Sequence, residues 1–478
     1  MLAAVALAGC ISGPPSIGGA AGAPPGPEAM WTPPPGTLPA EPPAARATPP
    51  ELTPASLSRL TLGDVVDLAL RSNPATRVSW AQARAAADAY GSSRGRWFPT
   101  LEVDANATRS QSLALPGRLP GERTQYGPSV TLSYLVLDFG GRSGAVASAR
   151  ATAIAADLTH NITVQNTILQ VENALFGYLS TRALRDAQRA TVAEAAANLQ
   201  AAQERHRVGL ATVADELQAR TAQSQAQLAL ETLDGQLQIA RGALAVSMGL
   251  PANAAFEVPE VPAADSVHFV ATSVDSLIEL AVRERPDLAA LRATAQAAAA
   301  RVRVARAASL PALTFNGTSG YTGSDVSAFT GRTYTLTFGL QLPLFNGFSR
   351  QYDQIAAADE LEAATARATL TRQQVALQVF SAYYGLQTAT QRVHTAADLL
   401  ASATESESVA RGRYREGVGS IVDLLIAQSA LADARAQDIQ ARWQWRSALA
   451  QLAHDAGVLG ARGEPLAPLG VNSSREVR

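Results

Sequence analysis

Few side chains in this 478-residue chain are of a type and spacing that could do chemistry. One cysteine, Cys10, closes the apolar stretch Met1 to Gly9. A Leu-Ala-Gly-Cys ending resembles a bacterial lipoprotein signal, in which cleavage before the cysteine leaves its thiol to be acylated. No basic residue precedes Cys10, and an incidental cysteine in a secretory segment is the competing reading. Ile11 follows, where an Asp would instead resemble an inner-membrane retention signal. A single cysteine permits no intramolecular disulfide and no cysteine-based metal cluster. The five histidines, His160, His206, His268, His394 and His454, form neither an HExxH motif nor a close pair. P-loop, Gly-x-Ser-x-Gly and dinucleotide patterns are missing too. The expectation is no enzyme, no metal and no cofactor.

The other candidates sit beside two glycine turns. Val208, Gly209 and Leu210 precede Asp215; Gly417, Val418 and Gly419 precede Asp423. Glycine ends helices in the left-handed conformation, and a carboxylate in the first helical turn offsets the macrodipole. The functional alternative is that the turns present backbone to a partner and that the acids, repeated in several copies, ring a narrow opening.

What positions these residues is a duplication. Asn73-Pro74 recurs as Arg285-Pro286, and Phe98-Pro99 as Leu310-Pro311, both 212 residues on (285 minus 73). Val208-Gly209 and Asp215 recur as Glu416-Gly417 and Asp423, 208 residues on (423 minus 215). Such a period is too long for a solenoid unit and reads as two copies of one domain. The expected organisation is a signal over 1–10, a Pro/Gly-rich linker over 11–56, repeats over 57–256 and 272–460, and a flexible tail over 461–478.

Each repeat has the same order. Two shorter helices come first, the second opened by Pro74 or Pro286 and closed by Pro99 or Pro311. A β-hairpin follows, over about 99–137 and 311–344, with loops expected over 110–125 and 322–332. On the strands Leu101, Val103, Ala105 and Ala107 alternate with Glu102, Asp104, Asn106 and Thr108. Tyr334, Leu336, Phe338 and Leu340 mark the same period-two pattern in the second copy. Tyr126, Tyr134, Tyr321 and Tyr334 are either interfacial belts or plain strand residues. Last come helical hairpins, over about 142–249 and 349–456. Their first arms hold some 65 residues, roughly 100 Å of helix. The chain is thus mainly α, with a membrane β part.

Apolar residues make up 47 % of the chain but aromatics only 5 %, which suits thin alanine-rich helices packed side by side. A formal charge of −2 gives no reason to expect a nucleic-acid partner. No run approaches the roughly 18 apolar residues of a membrane helix. Four strands with one apolar face cannot close a barrel, and open edges do not survive in lipid. Either the strands form a small soluble sheet, or several chains share one barrel.

Taken together, the Asn73-Pro74, Phe98-Pro99 and Leu310-Pro311 motifs, the Leu137-Asp138-Phe139-Gly140-Gly141-Arg142 entry into the long helix and its counterpart from Leu342 to Gly347, and the turns Arg207-Val208-Gly209 and Arg413-Tyr414-Arg415-Glu416-Gly417 resemble the TolC-like outer-membrane efflux proteins. The resemblance implies a homotrimer whose chains share a twelve-stranded β-barrel above a long α-helical barrel. It implies a bacterial outer-membrane channel, lipid-anchored, with most of its mass in the periplasm. The implied partners are outer-membrane lipid, a periplasmic adaptor and an inner-membrane pump of the resistance–nodulation–division type, together moving small molecules such as drugs. It also implies a periplasmic gate at Asp215, Tyr414 and Asp423, and adaptor contact through the two turns. Two alternatives stay open: the duct of a type I protein secretion system, and a non-conducting coiled-coil lipoprotein.

Overall fold

The computed structural model describes residues 60–111, 122–259, 272–325 and 330–459. The lipidation candidate Cys10, the linker and the tail lie outside the described residues. The first repeat runs α1 (Leu62–Ser72), α2 (Pro74–Gly95), β1 (Thr100–Gln111), β2 (Glu122–Leu137), α3 (Gly141–Arg207) and α4 (Val213–Ser247). The second runs α5 (Val274–Glu284), α6 (Pro286–Ala307), β3 (Ala312–Ser324), β4 (Gly331–Gln341), α7 (Ser349–Arg415) and α8 (Ile421–Asp455). Each helix has the same length in both copies; α3 and α7 have 67 residues each, about 100 Å at ~1.5 Å per residue.

Local chemistry sets the ends. α1 starts at Leu62 because Thr61 and Asp64 form a capping box that fixes the first turn there. Asn73 Oδ1 accepts from the Ala75 N–H at 2.9 Å, and Pro74 occupies the first helical position of α2. The strands stay within the expected hairpins but run into the expected loops, β1 to Gln111, β2 from Glu122 and β3 to Ser324. Gln111 still faces Glu122, and Arg109 pairs with Glu122 across the ladder, so charged ends that look like loop continue the strands.

Both repeats close in the same way. Asn73 Nδ2 donates to the Ser247 carbonyl at 3.2 Å, and Arg285 Nη1 to the Asp455 carbonyl at 3.2 Å. The residue before each proline thus satisfies an orphan carbonyl at the end of its return helix. Beyond that end the chain turns through Gly249 (φ +77) or Gly457 (φ +78). A Cβ on Gly249 would lie 2.7 Å from the Ser72 backbone, so this position needs glycine for both conformation and space.

The sheet is antiparallel in the order β1-β2-β3-β4. Leu101 faces Leu132, Leu132 faces Gly317 and Gly317 faces Leu336, so these four share one face. Glu102, Thr131, Thr318 and Thr335 share the other. β1 and β4 are its two edges. At the helical end the chain turns sharply, through Phe139 and Gly140 before α3 and through Gly347 and Phe348 before α7, all with positive φ. Arg142 fills the first corner, donating to the Val136 carbonyl at 3.1 Å and lying 4.6 Å from the Trp97 ring. No described helix is long and apolar enough to cross a membrane.

Candidate functional site

Two surfaces carry the candidate functions: the outer face of the sheet, and the helix tips some 100 Å away. On the sheet, Tyr334 is 81 % exposed, and Phe338 and Leu340 are 72 % exposed. A face this apolar and this open to solvent has no place in water. From Leu313 to Tyr321 it runs about 26 Å along β3, the scale of the ~25 Å apolar band of outer-membrane barrels. Tyr126, Tyr321 and Tyr334 lie toward its hairpin end. Tyr134 does not join them; it faces Phe315 toward the helical end, near Arg142. Exposed Phe98, Phe345 and Phe348 lie just beyond that end.

At the tips, Gly209 (φ +78) and Gly417 (φ +75) reverse the chain. Leu210 N–H donates to the Arg205 carbonyl at 2.7 Å, and Val418 N–H to the Arg413 carbonyl at 3.0 Å, which satisfies the last carbonyls of α3 and α7. Gly419 has a steric reason as well: a Cβ there would meet the Arg413 backbone at 3.2 Å. Val208, Leu210 and Val418 are exposed. Just above the tips, a groove of about 780 Å³ separates the hairpins, lined by Leu217, Val422, Leu425 and Ile426.

The acids are engaged locally. Asp215 Oδ2 accepts from the Thr212 N–H at 2.8 Å and from its hydroxyl at 2.9 Å. Asp423 accepts from the Ser420 N–H at 3.4 Å and donates its own N–H back to Ser420 Oγ at 3.1 Å. Both are the third residues of capping boxes. Tyr414 packs against Ala202, Ala219 and Ile421, where the hairpins meet. Burial pushes its hydroxyl pKa up, the Asp215 charge adds to this, and Arg205 opposes it. That hydroxyl has no hydrogen-bond partner within the described chain.

Arg205 is the residue that sequence reasoning missed. Its Nη1 donates to the Tyr414 carbonyl at 2.8 Å, and its guanidinium lies 4.7 Å from the Tyr414 ring centre. It ties α3 to α7. Arg207, beside the turn, instead pairs with Glu204 on its own helix at 2.8 Å. Tyr414 and Arg205 therefore come together where the hairpins meet, with the Asp215 charge felt at the Tyr414 hydroxyl, while Asp215 and Asp423 each hydrogen-bond within their own caps. Higher up, Asn198 Nδ2 donates to Gln428 Oε1 at 2.6 Å, and Gln428 reaches the buried carboxylate of Glu407 at 3.4 Å. This chain of amides and acid, also missed, links α3, α8 and α7.

A sequence model described as outer membrane efflux protein matches residues 65–250 and again 277–458, once per repeat. The chain is 29 % identical over 410 residues to protein CyaE of Bordetella pertussis, covering 84 % of this chain and 85 % of that one. It is 30 % identical over 397 residues to the pyoverdine export outer membrane protein OpmQ of Pseudomonas putida, covering 77 % and 78 %. The outer membrane protein VceC of Vibrio cholerae has the same fold, with a TM-score of 0.75 at 20 % identity over 83 % of this chain and 96 % of that one. OpmQ is an export protein of the outer membrane and VceC an outer membrane protein rather than an enzyme, and the sheet and long helices have the architecture of VceC. The chain is a member of the outer membrane efflux protein family, a non-enzymatic protein of the outer membrane.

Proposed function

We propose that this chain is the outer-membrane conduit of a tripartite efflux system, passing small molecules from a periplasmic adaptor and an inner-membrane pump to the outside. Three copies share one twelve-stranded barrel, and acylated Cys10 adds a lipid anchor. The carrying observation is the exposed apolar face of a sheet with two open edges, continuous with helices of 67 residues. An open four-stranded sheet in lipid leaves backbone groups unsatisfied, and only closure with further copies removes the edges.

At the tips, Arg205 and Tyr414 hold the two hairpins of one chain together, and closure of the tunnel depends on that contact, with Asp215 and Asp423 fixing the starts of α4 and α8. Val208–Leu210 and Gly417–Gly419, with the groove above them, receive the adaptor. The pyoverdine exporter among the relatives supports small-molecule cargo. The test is conductance of the purified protein in planar bilayers. It is paired with drug susceptibility of a strain lacking its own conduit, supplied with this chain, an adaptor and a resistance–nodulation–division pump. Conductance with restored resistance is expected. Conductance with rescue only of polypeptide export through an ABC exporter would mean a type I secretion duct; a non-conducting rod would end the channel reading.

A further inference from the structure

The duplication carries one arginine into two different surroundings. Arg142 at the start of α3 recurs as Arg350 at the start of α7, 208 residues on (350 minus 142). In the first copy three groups hold the charge. Asp138 Oδ2 lies 3.6 Å from Nε, and the Trp97 and Tyr134 ring centres lie 4.6 and 5.7 Å from the guanidinium carbon. In the second copy all three are replaced: Asn346 stands for Asp138, Ser309 for Trp97 and Leu342 for Tyr134. Ser309 is engaged elsewhere, its Oγ accepting from Gln354 Nε2 at 2.9 Å.

Arg350 keeps its charge without these partners. Its Nη1 is buried with no hydrogen-bond partner among the described residues, and Asp353, three residues on, does not reach it. The residue as a whole is half-buried. Arg142 Nη1 lacks a hydrogen bond too, but there a carboxylate and two ring faces offset the loss of water. A cation drawn partly out of water is unfavourable until an anion completes it.

The surroundings identify that anion. Leu344 is 87 % exposed, Phe345 77 % and Phe348 59 %. They lie at the helical end of the apolar sheet face, where hydrocarbon gives way to headgroups. Arg303 and Arg306 lie at the same end of α6, Arg94 and Arg96 at that of α2, and all four are exposed. A second copy would bring these same arginines, hence more positive charge and no counter-ion. A phospholipid instead offers a phosphate joined to acyl chains, which matches an arginine fork flanked by exposed apolar side chains.

We propose that Arg350 binds the headgroup phosphate of an anionic glycerophospholipid in the leaflet nearest the helices, with Leu344, Phe345 and Phe348 set among its acyl chains. Arg94 and Arg306, themselves one repeat apart (306 minus 94, or 212), add the longer-range attraction that favours a net-negative headgroup over a zwitterionic one. This rests on the reading that the apolar face of the sheet lies in lipid, and adds which lipid is held at its helical end and by which residue.

The test uses the full chain as its native oligomer in neutral detergent, titrated with phosphatidylglycerol or with phosphatidylcholine. Native mass spectrometry counts the lipids retained. Wild type is expected to hold phosphatidylglycerol more tightly. Arg350→Gln should lower that preference roughly fivefold, as the loss of one basic residue at a membrane surface does. Arg350→Lys, which keeps the charge and loses the fork, should fall between the two. Arg71→Gln removes an exposed charge on α1 and should match wild type; an equal loss there would reduce the effect to net charge and overturn the site. An undiminished preference in Arg350→Gln would overturn the proposal. So would displacement of the lipid by inorganic phosphate, the mark of an open anion pocket. Dissociation of the Arg350→Gln oligomer in lipid-free detergent would assign the corner to contact between copies, and likewise overturn it. Wild type that inserts into phosphatidylcholine vesicles but shows no preference ends this proposal alone; wild type that never inserts counts against the reading that the sheet lies in lipid.

Discussion

Glu172 sits on α3 with only 3 % of its surface reached by solvent, and burial raises its carboxyl pKa from 4.5 to about 7. An acid shifted this way takes up a proton on folding between those two values. Its contribution therefore favours the folded state at low pH, is lost as pH rises from 4.5 toward about 7, and stays lost above that. Glu172→Gln removes the penalty. Thermal melts should show the variant more stable than wild type at pH 8, by on the order of 1–3 kcal/mol, and nearly equal to it at pH 4. An advantage independent of pH would mean that the carboxyl does not titrate there. At the tips, Arg205→Ala removes both the bond to the Tyr414 carbonyl and the cation over its ring. The expected result is a higher resting conductance with unchanged helix content; resting conductance equal to wild type would detach this contact from closure. The helix-start role of Asp215 and Asp423 was legible as a carboxylate in the first turn; the capping boxes they form with Thr212 and Ser420 come from the structure. Arg205 was not legible, because its partner lies 209 residues away on the other hairpin, and no local pattern joins them.

Glycines at helix ends separate two kinds of constraint. Gly209 and Gly249 have nearly the same positive φ, +78 and +77, but nothing stands near a Cβ at Gly209, while the Ser72 backbone would lie 2.7 Å from one at Gly249. Gly209→Ala should cost about 1 kcal/mol from backbone strain alone. Gly249→Ala adds a clash with main chain that cannot rotate away, and should cost about 3 kcal/mol or more. Denaturant melts of the two variants check this; equal losses would mean that the junction of α4 with Asn73 has room to relax. The elements themselves were largely readable from sequence. Period-two alternation marked the strands, and proline-free tracts marked α3 and α7, because lipid and lateral packing each impose one period over long stretches. Strand ends were hidden, since Arg109 and Glu122 continue the ladder with side chains that ordinarily signal a loop. The pairing of Asn73 with Ser247 and of Arg285 with Asp455 was hidden for a different reason: it joins the two ends of a repeat, which only the folded hairpin brings together.

The whole molecule is organised by what one chain lacks. Its sheet ends in two unpaired strands, and large apolar side chains of α7 and α4, Leu377 and Ile239 among them, are exposed, as the proposed barrel of several copies requires. If the apolar face of the sheet meets lipid and the other face lines a lumen, adjacent residues on one strand must respond to charge in opposite ways. Phe338 lies midway along the exposed band of β4 and packs on Phe315 at 4.8 Å between ring centres, whereas Thr337 points to the polar face with Asn316. An arginine on the lipid face near mid-depth costs about 2–4 kcal/mol, and one in a water-filled lumen costs little. Phe338→Arg should therefore strip the heat-modifiable oligomer from the membrane fraction, while Thr337→Arg should insert normally and shift the ion selectivity of the pore toward anions. Both variants are scored on the same unheated gels and in the same planar bilayers. Equal insertion of the two would mean that the face carrying Phe338 is not in lipid, and a barrel shared by several chains would lose its physical basis.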